Sequence, residues 1–157
     1  MLVKAKGGSF ADLTKDNIVD VDFGGAMPSG SNEPSREFRA HALIYRMRPR
    51  ADAVFHGRSP WSMACAARFD RIPLAGMQME MKMGAIPVMV SSDHADDKMV
   101  DELATFLTAN RGVPPFIQRR HGVFNLSEDI GQTEMLAELV EECAKIAMLE
   151  LISEGRS

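Results

Sequence analysis

The chain has 157 residues, of which 45% are hydrophobic and 25% are charged. This length is typical of one domain around a single hydrophobic core, and the composition excludes the disordered, collagen-like and membrane-spanning classes. Lysine and arginine number 18 against 22 aspartate and glutamate residues, which gives a net charge of −4. Because no overall basic field is present to attract a polyanion, we expect no nucleic-acid partner.

Cysteine usage and the absence of long apolar runs indicate the compartment. Cys65 and Cys143 are the only cysteines, and each lies in a stretch with the apolar spacing of a helix face, which favours buried thiols over a disulfide. No run approaches the ~18 apolar residues of a membrane span, and residues 1–8 lack the apolar core of a signal peptide. We therefore expect no membrane association and a cytoplasmic location.

The first half of the chain alternates short strand and helix patterns. Apolar and acidic residues alternate over Ile18–Phe23, as in a half-buried strand. A proline at the first helical position predicts a helix over Pro34–Arg48, and the same signal predicts a helix over Pro60–Phe69. Between them, Ala53–Phe55 has the composition of a short buried strand.

The second half contains a methionine-rich segment and four further elements. Four methionines alternate with three polar residues over Met77–Met83, and a strand would place all four sulfur atoms on one face. Such a face suits a core or a subunit interface better than a Cu(I) site. Further patterns predict strands over Ile86–Val90 and Pro115–Gln118 and helices over Asp97–Asn110 and Glu128–Ser153.

The histidines and one glutamate are the first candidates for chemistry. The four histidines of the chain are His41, His56, His94 and His121. His56 and His121 each end a predicted strand and precede a glycine, and strand ends in α/β domains form a rim where ligands and metals bind. A histidine without a ligand role is the alternative at each position. Glu37 lies in the first turn of its predicted helix, where the helix dipole favours a carboxylate, and His41 follows on the same face.

Several segments match one family pattern when they are taken in order. They are Gly7, Asp12–Thr14, Pro34–His41, Tyr45–Ser59 and Arg120–Gly122. The chain resembles the class II aldolase/adducin family, whose pattern is Pro-Ser-Ser-Glu, a helix, Arg-Pro, Ala-Val-Val-His-x-His and a late His-Gly. The resemblance covers about Leu2 to Leu151 and lacks the family's usual N-terminal segment. It implies one α/β domain over residues 1–157, with three layers, α/β/α, and a mixed, largely antiparallel central sheet.

The resemblance also implies a metal site. Enzymes of the family hold zinc or a similar divalent ion with three histidines. Carried over by position, His56 and His121 are metal ligands and Glu37 is the catalytic acid/base. Arg58 replaces the third histidine, and a guanidinium cannot ligate a metal because it stays protonated. An Arg58 side chain in the same pocket would pair with Glu37 or supply the positive charge of the ion.

Two consequences of this replacement and of the neighbouring sequence stay open. Two histidines and Glu37 could form a two-histidine, one-carboxylate set, in which Glu37 is less available as a base. The resemblance places Ser35 at a phosphate-binding position and Gly7 in a phosphate-binding loop, where Lys6 and Arg36 replace hydroxyl residues. Two cations there would either bind an anion more strongly or mark a site no longer used.

The resemblance implies an enzyme that acts on a small phosphorylated sugar. We expect a class II aldolase-like, metal-dependent carbon–carbon lyase for a phosphorylated ketose or a related hydroxy-carbonyl compound, with zinc as the divalent metal. A homo-oligomer, specifically a tetramer with sites at subunit interfaces, is also implied. The alternative is a catalytically inactive module, like the head domain of adducin. Glu37, His56 and His121 favour the enzyme, whereas Arg58 favours the inactive module.

Overall fold

A five-stranded sheet with helices on both faces forms the centre of the molecule. The computed structural model describes residues 1–7, 9–91 and 96–154. Within these ranges the strands are β1 (Leu2–Lys4), β2 (Ile18–Asp20), β3 (Ala53–Gly57), β4 (Arg71–Ile72), β5 (Ile86–Met89), β6 (Pro115–Gln118) and β7 (Gly122–Ser127). The α-helices are α1 (Phe38–Met47), α2 (Pro60–Ala66), α3 (Met77–Met83), α4 (Asp97–Ala109) and α5 (Ile130–Glu154).

The central sheet is mixed, and most of its strand pairs are antiparallel. Its strand order is β3-β7-β6-β5-β4, in which β5 and β6 run parallel and the other neighbours run antiparallel. β1 and β2 form a separate antiparallel pair, and its Val3 and Val19, together with Val21 just after β2, pack against Phe38 at the start of α1. The predicted sheet type is confirmed.

Helices cover both faces of the sheet and divide the core in two. Ile117 and Val123 point to one face and pack with α2, α3 and α5, in a cluster that also contains the buried free thiol of Cys65. The neighbouring Phe116 and Phe124 point to the opposite face and pack with α1 and α4. This alternation confirms the three-layer α/β/α arrangement. No helix in the described part of the chain has the length and apolar character needed to cross a bilayer.

The methionine-rich segment is a helix, α3, so the strand prediction for Met77–Met83 was wrong. Methionine, glutamine, glutamate and lysine all have high helix propensity, and this local preference prevails over the alternating pattern. Side chains four residues apart share a helix face. Accordingly Met79 and Met83 are buried, whereas Met77 and Met81 are 75% and 81% exposed. The four sulfur atoms therefore do not form a single face.

Helix α1 begins at Phe38 rather than at the predicted Pro34. Residues 33–35 are extended and pair with residues 4–6, with an antiparallel bridge between Ala5 and Pro34. A proline suits such an edge position because its missing N–H is not needed in the pairing. Proline at the first helical turn and proline at a strand edge have the same local signal, and the long-range partner decided between them.

Strand β7 was not predicted, although it lies between β3 and β6 in the sheet. Its residues are buried on both faces, so the sequence shows no alternation of apolar and polar side chains. Helix α2 ends at Ala66 rather than at the predicted Phe69, and the Arg119 guanidinium donates hydrogen bonds to the carbonyls of both residues at 2.7 and 3.0 Å. β1 and β4 are too short to produce a pattern. The other predicted elements match within a few residues.

Alanine substitutions of the four methionines test the helical assignment of α3. We expect Met79→Ala and Met83→Ala each to lower the free energy of unfolding by about 2–3 kcal/mol, because each removes a buried side chain. The exposed Met77→Ala and Met81→Ala serve as matched controls and should change it by less than about 0.5 kcal/mol. Urea denaturation measures all four values. Similar losses at all four positions would support a strand instead.

Candidate functional site

Two predicted site residues, His56 and His121, meet at one edge of the sheet. β3 runs antiparallel to β7, so Gly57 at the end of β3 lies opposite Val123 near the start of β7. His56 belongs to β3, and His121 lies in the turn between β6 and β7 rather than at a strand end. Their imidazole rings stack with centroids 5.2 Å apart. Antiparallel pairing thus brings together two side chains that are distant in sequence.

Strand β7 fixes the orientation of the His56 ring. Nδ1 of His56 donates a hydrogen bond to the carbonyl of Val123 at 3.0 Å, and the ring stacks on Phe124 with centroids 4.0 Å apart. Burial lowers the pKa of His56 to about 4, so the imidazole is neutral at pH 7. Because Nδ1 carries the proton, Nε2 keeps its lone pair for a ligand.

The glycine that follows His121 has a steric role. A Cβ atom on Gly122 would lie 2.5 Å from the carbonyl oxygen of Gly57 and 2.9 Å from Cε1 of His56. Both distances are too short for any side chain to fit without movement of the backbone or the ring. Gly122 therefore permits the close approach of β3 to β7 on which the position of His56 depends.

Glu37 brings a carboxylate to the two histidines from the start of α1. It occupies the N-cap position of α1, but its side chain makes no capping hydrogen bond. Its Oε1 lies 3.3 Å from Nε2 of His121, and its Oε2 is buried without a hydrogen-bond partner. The contact with His121 lowers the pKa of Glu37 against the opposing effect of burial, so this carboxyl group is ionised at pH 7.

Glu37, His56 and His121 form a group that suits a divalent metal ion. One ligand atom from each residue lies within 4.8 Å of the other two. Imidazole nitrogens and carboxylate oxygens are common ligands of zinc and of other first-row divalent ions. The buried, unpartnered Oε2 of Glu37 and the oriented Nε2 of His56 both favour a cation near them. The chemistry of this donor set therefore fits the metal implied by the resemblance.

Other predicted residues lie outside this cluster. Arg58 follows β3 with an exposed side chain, and within the described ranges it makes no ion pair, so the expected pairing with Glu37 is not formed. His41 is half-buried beside Phe124, with ring centroids 6.3 Å apart. His94 falls outside the described residues.

The predicted phosphate-binding residues lie on two paired segments that lead to Glu37. They are Lys6, Gly7, Ser35 and Arg36. Residues 4–6 pair with residues 33–35, which brings Lys6 and Gly7 beside the segment that precedes α1. Gly7 has a φ of +77°, a conformation that favours glycine. A cavity of about 470 Å³ lies along this pairing, and Lys6 and Gly7 line it, whereas Ser35 and Arg36 do not.

The charges around this cavity are already partly paired. Nζ of Lys6 lies 2.6 Å from Oε2 of Glu33, and the pKa of Glu33 is lowered by Lys6 and more weakly by Arg36. Arg36 is exposed. The hydroxyl of Ser35 accepts a hydrogen bond from the Glu37 N–H at 3.3 Å. An anion bound here would therefore compete with Glu33 for the Lys6 ammonium group.

Three residues that shape the site were not found from the sequence. Val123 and Phe124 orient His56, and both belong to β7, which was not predicted. Arg120 has a φ of +64°, and among the described residues it is the only one other than glycine with a positive φ. A glycine or asparagine would have indicated this tight turn between β6 and β7, whereas an arginine gives no such signal.

Together the fold and the cluster define an α/β domain with a candidate metal centre at a sheet edge. A comparison with protein families gives its class. Residues 1–148 match the family described as Class II Aldolase and Adducin N-terminal domain. The chain belongs to this family, which confirms the resemblance drawn from its motifs.

Relatives of the chain include enzymes named for phosphorylated substrates. It is 27% identical over 154 residues to the 3-oxo-tetronate 4-phosphate decarboxylase of Escherichia coli (strain K12), covering 95% of this chain and 71% of that protein. It is 27% identical over 146 residues to the L-fuculose phosphate aldolase of Methanocaldococcus jannaschii, covering 93% and 77%. The crystal structure of L-fuculose-1-phosphate aldolase from Thermus thermophilus matches with a TM-score of 0.83 at 22% identity, over 99% of this chain and 80% of that one.

His41 gives the metal-free protein a defined pH dependence of stability. Burial lowers the pKa of His41 from 6.5 to about 4, while Glu37 opposes this shift. The unfolded chain therefore binds a proton at a higher pH than the folded chain does. The contribution of His41 to the free energy of unfolding is complete above about pH 6.5 and is lost as the pH falls toward about 4.

We expect His41→Gln to reduce this acid-induced loss of stability by roughly 2 kcal/mol. Urea denaturation in the presence of a chelator, at about pH 7 and about pH 4.5, measures the difference for both proteins. Identical losses in the wild type and in His41→Gln would show that His41 does not contribute.

The positive φ of Arg120 predicts that another residue would be more stable there. This backbone region costs most L-residues about 1–2 kcal/mol, and asparagine tolerates it better. We expect Arg120→Asn to raise the free energy of unfolding by about 0.5–1 kcal/mol. Arg120→Ala is the matched control, because it removes the same side chain and keeps the strain. If alanine stabilised the protein as much as asparagine, the gain would not come from the backbone.

Proposed function

We propose that this chain is a metal-dependent carbon–carbon lyase that acts on a phosphorylated ketose or a related hydroxy-carbonyl compound. The observation that carries this proposal is the cluster of Glu37, His56 and His121 in a chain of the class II aldolase family. Two relatives of equal identity, a decarboxylase and an aldolase, are both named for phosphorylated substrates. Both names denote cleavage of a carbon–carbon bond.

His56 and His121 would hold the metal, for which we propose zinc. When bound, such an ion supplies Lewis-acid catalysis by polarising the oxygen atoms of a carbonyl substrate. The protein contributes the orientation of the ligands. The Val123 carbonyl fixes which nitrogen of His56 carries the proton, and Phe124 covers one face of the ring and excludes water from it.

Glu37 is the proposed acid/base. Its lowered pKa leaves it ionised at pH 7, and its Oε2 has no protein donor. The carboxylate can therefore accept a proton from a substrate hydroxyl group and return it to a carbon atom after bond cleavage. Its position at the N-cap of α1, opposite His56 of the sheet and His121 of the β6–β7 turn, supports a substrate held between the helix and the sheet edge.

Lys6, Gly7, Ser35 and Arg36 form the proposed phosphate anchor. Arg36 is adjacent to Glu37 in the chain, and this supports one continuous site for a phosphate group and the carbon atoms next to it. Glu33 reduces the strength of the anchor, because it already pairs with Lys6 at 2.6 Å. We therefore propose that phosphate binding displaces Glu33 from Lys6.

We further propose a cytoplasmic homotetramer with sites at subunit interfaces. Large apolar side chains on the surface support an oligomer: Leu2, Met77 and Met81 are 72%, 75% and 81% exposed. Exposed apolar side chains are often covered by a partner subunit.

A non-catalytic, adducin-head-like module is the second candidate function. Two observations favour it. Arg58 stands at a ligand position without joining the cluster, and the Lys6 ammonium group is paired with Glu33. In this case the protein would keep its fold and subunit contacts, and it would contain no stoichiometric metal when it is purified without a chelator.

Cleavage of ketose 1-phosphates tests the enzymatic proposal. We expect weak turnover, because one histidine ligand is replaced and the phosphate anchor is partly neutralised. EDTA and Glu37→Gln should each reduce the remaining activity at least tenfold, as loss of a metal or of a general acid/base does. Product release is measured by a coupled assay, with metal content determined on the same preparation.

Glu128→Gln is the matched control, since Glu128 pairs with Arg50 on the surface and should be dispensable. Efficient cleavage that survives EDTA would contradict the metal-dependent mechanism. Absence of both metal and turnover would support the non-catalytic module.

A further inference from the structure

The turn between β6 and β7 determines where His121 lies, and the backbone of this turn is strained. His121 belongs to neither strand, so the direction of its ring follows from the conformation of residues 119–121. Within this turn Arg120 has a φ of +64°, a backbone conformation that is unfavourable for most L-residues. Such a conformation persists only where the surrounding structure holds it. The position of His121 therefore depends on contacts that the turn makes with other elements.

The Arg119 side chain makes the contact between this turn and α2. Its Nε donates a hydrogen bond to the Ala66 carbonyl at 2.7 Å, and its Nη2 donates one to the Phe69 carbonyl at 3.0 Å. Ala66 is the last residue of α2, and Phe69 follows three residues later. The last carbonyls of a helix have no partner within the helix, and a cation is favoured beside them. One planar guanidinium thus binds the turn to the end of α2.

The two carbonyl bonds matter more than the ion pair that Arg119 also forms. Nη2 of Arg119 lies 2.6 Å from Oδ1 of Asp70. The Asp70 side chain is 91% exposed, and water screens such a pair. The Arg119 side chain itself is only 27% exposed, and bonds from a charged donor to a carbonyl are stronger than bonds between neutral groups. Most of the attachment of the turn therefore comes from the bonds to Ala66 and Phe69.

Helix α2 is also held at its other end, so it offers the turn a fixed support. The Glu141 carboxylate of α5 accepts hydrogen bonds from the N–H groups of Trp61 and Ser62, both at 2.9 Å, and from the Ser62 hydroxyl at 2.7 Å. These bonds replace a side-chain cap, since Ser59 at the N-cap makes none. A carboxylate at the start of the helix and a guanidinium at its end both suit the helix dipole.

The backbone of Arg119 links the same turn to the sheet. The Arg119 N–H donates a hydrogen bond to the Met89 carbonyl of β5 at 2.9 Å, and the His121 N–H donates one to the Gln118 carbonyl at 3.1 Å. Arg119 is thus bound to β5 through its backbone and to α2 through its side chain. Only the strained Arg120 separates it from His121, so a change in the direction of Arg119 reaches the imidazole directly.

We propose that Arg119 is a positioning residue for the candidate site. By binding the end of α2, it holds the strained turn in the conformation that presents His121 to His56 and Glu37. The inference rests on the proposed function in that His121 is there a metal ligand. The Arg119 guanidinium binds α2 and Asp70, so it acts on His121 through the backbone. Outer groups that orient a ligand typically change metal affinity 10–100-fold.

Arg119→Met tests this role, because it removes the guanidinium and keeps an unbranched aliphatic side chain. We expect the metal-free variant to bind Zn²⁺ at least about tenfold more weakly than the wild type, as measured by calorimetry. Asp70→Asn removes only the exposed ion pair and should weaken binding less than about fivefold. If Arg119→Met does not fold, Arg119→Lys gives the same comparison, since an ammonium group lacks the planar fork of donors.

Arg48→Met is the matched control. The Arg48 guanidinium donates hydrogen bonds to the carbonyls of Leu107 and Asn110 at the end of α4, at 2.7 and 3.0 Å. Its removal costs the protein two bonds of the same kind and similar length at the end of a different helix. We expect Arg48→Met to lower the unfolding temperature as Arg119→Met does, but to bind Zn²⁺ like the wild type.

The reactivity of His121 provides a readout that needs no metal. Its side chain is 13% exposed, and diethyl pyrocarbonate modifies accessible imidazole nitrogen atoms. In the metal-free protein we expect Arg119→Met to raise the modification rate of His121 severalfold, because the turn is no longer held to α2. His41 on α1 should react as in the wild type, and Arg48→Met should leave the rate at His121 unchanged. Mass spectrometry of peptides measures the rate at each histidine.

The outcomes separate this inference from the proposed function. If the wild type binds no Zn²⁺ but His121 reacts faster in Arg119→Met, the metal-dependent function is overturned and the positioning role stands. If Arg119→Met matches the wild type in Zn²⁺ affinity and in His121 reactivity, the inference is overturned and the function stands. Equal changes in Arg48→Met and Arg119→Met would also overturn the inference, because the effect would then follow stability alone.

Discussion

The antiparallel pairing of β3 with β7 is the constraint on which the candidate site depends. It sets the end of β3 beside the start of β7, and the absence of a side chain at Gly122 lets the two backbones approach closely. The carbonyl of Val123 then fixes the ring of His56 through a hydrogen bond, and the turn before β7 places His121 in contact with this ring. The site is thus a product of strand register rather than of a loop that folds over the sheet.

The aromatic rings on the face of the sheet that carries His56 form a continuous stack that extends into the core. Phe116, Phe124, His56 and His121 stack in sequence, with neighbouring centroids 4.8, 4.0 and 5.2 Å apart. Apolar surroundings keep His56 neutral, whereas the neighbouring carboxylate of Glu37 is kept ionised by its contact with His121. One environment therefore holds two kinds of titratable group in the protonation states that metal binding requires.

Much of the architecture could be predicted from the sequence, and the misses have physical causes. The family resemblance implied the sheet type and the layers, and local sequence signals predicted most helices. The strand prediction for Met77–Met83 was wrong because the alternating pattern is typical of a strand, whereas the residues individually prefer a helix. β7 was not predicted because a strand that is buried on both faces shows no alternation of apolar and polar residues. The helix start predicted at Pro34 was wrong because helix starts and strand edges share this proline signal. Only the long-range pairing with Ala5 distinguishes the two.

The residues of the site that belong to family motifs could be predicted from the sequence, whereas features that depend on side-chain geometry could not. The motifs placed Glu37, His56 and His121 as candidates, and the structure brings these three together. The exposed position of Arg58 and the pairing of Lys6 with Glu33 depend on side-chain directions that spacing does not encode. The chemical roles of Glu37, His56 and His121 stay predictions.

β3 lies at the edge of the central sheet, and this position affects the local unfolding of the cluster. An edge strand is held by one neighbour, so it detaches at a lower free energy than β7, β6 and β5, which each have two neighbours. His56 lies on that strand, whereas Glu37 and His121 lie on α1 and on the β6–β7 turn. A metal ion bound at the proposed site would dissociate when β3 detaches. At a free concentration of 100 times its dissociation constant, it would raise the free energy of detachment by about 2.7 kcal/mol. If the proposed metal site is occupied, the resistance of this edge to proteolysis and amide exchange depends on the concentration of the metal.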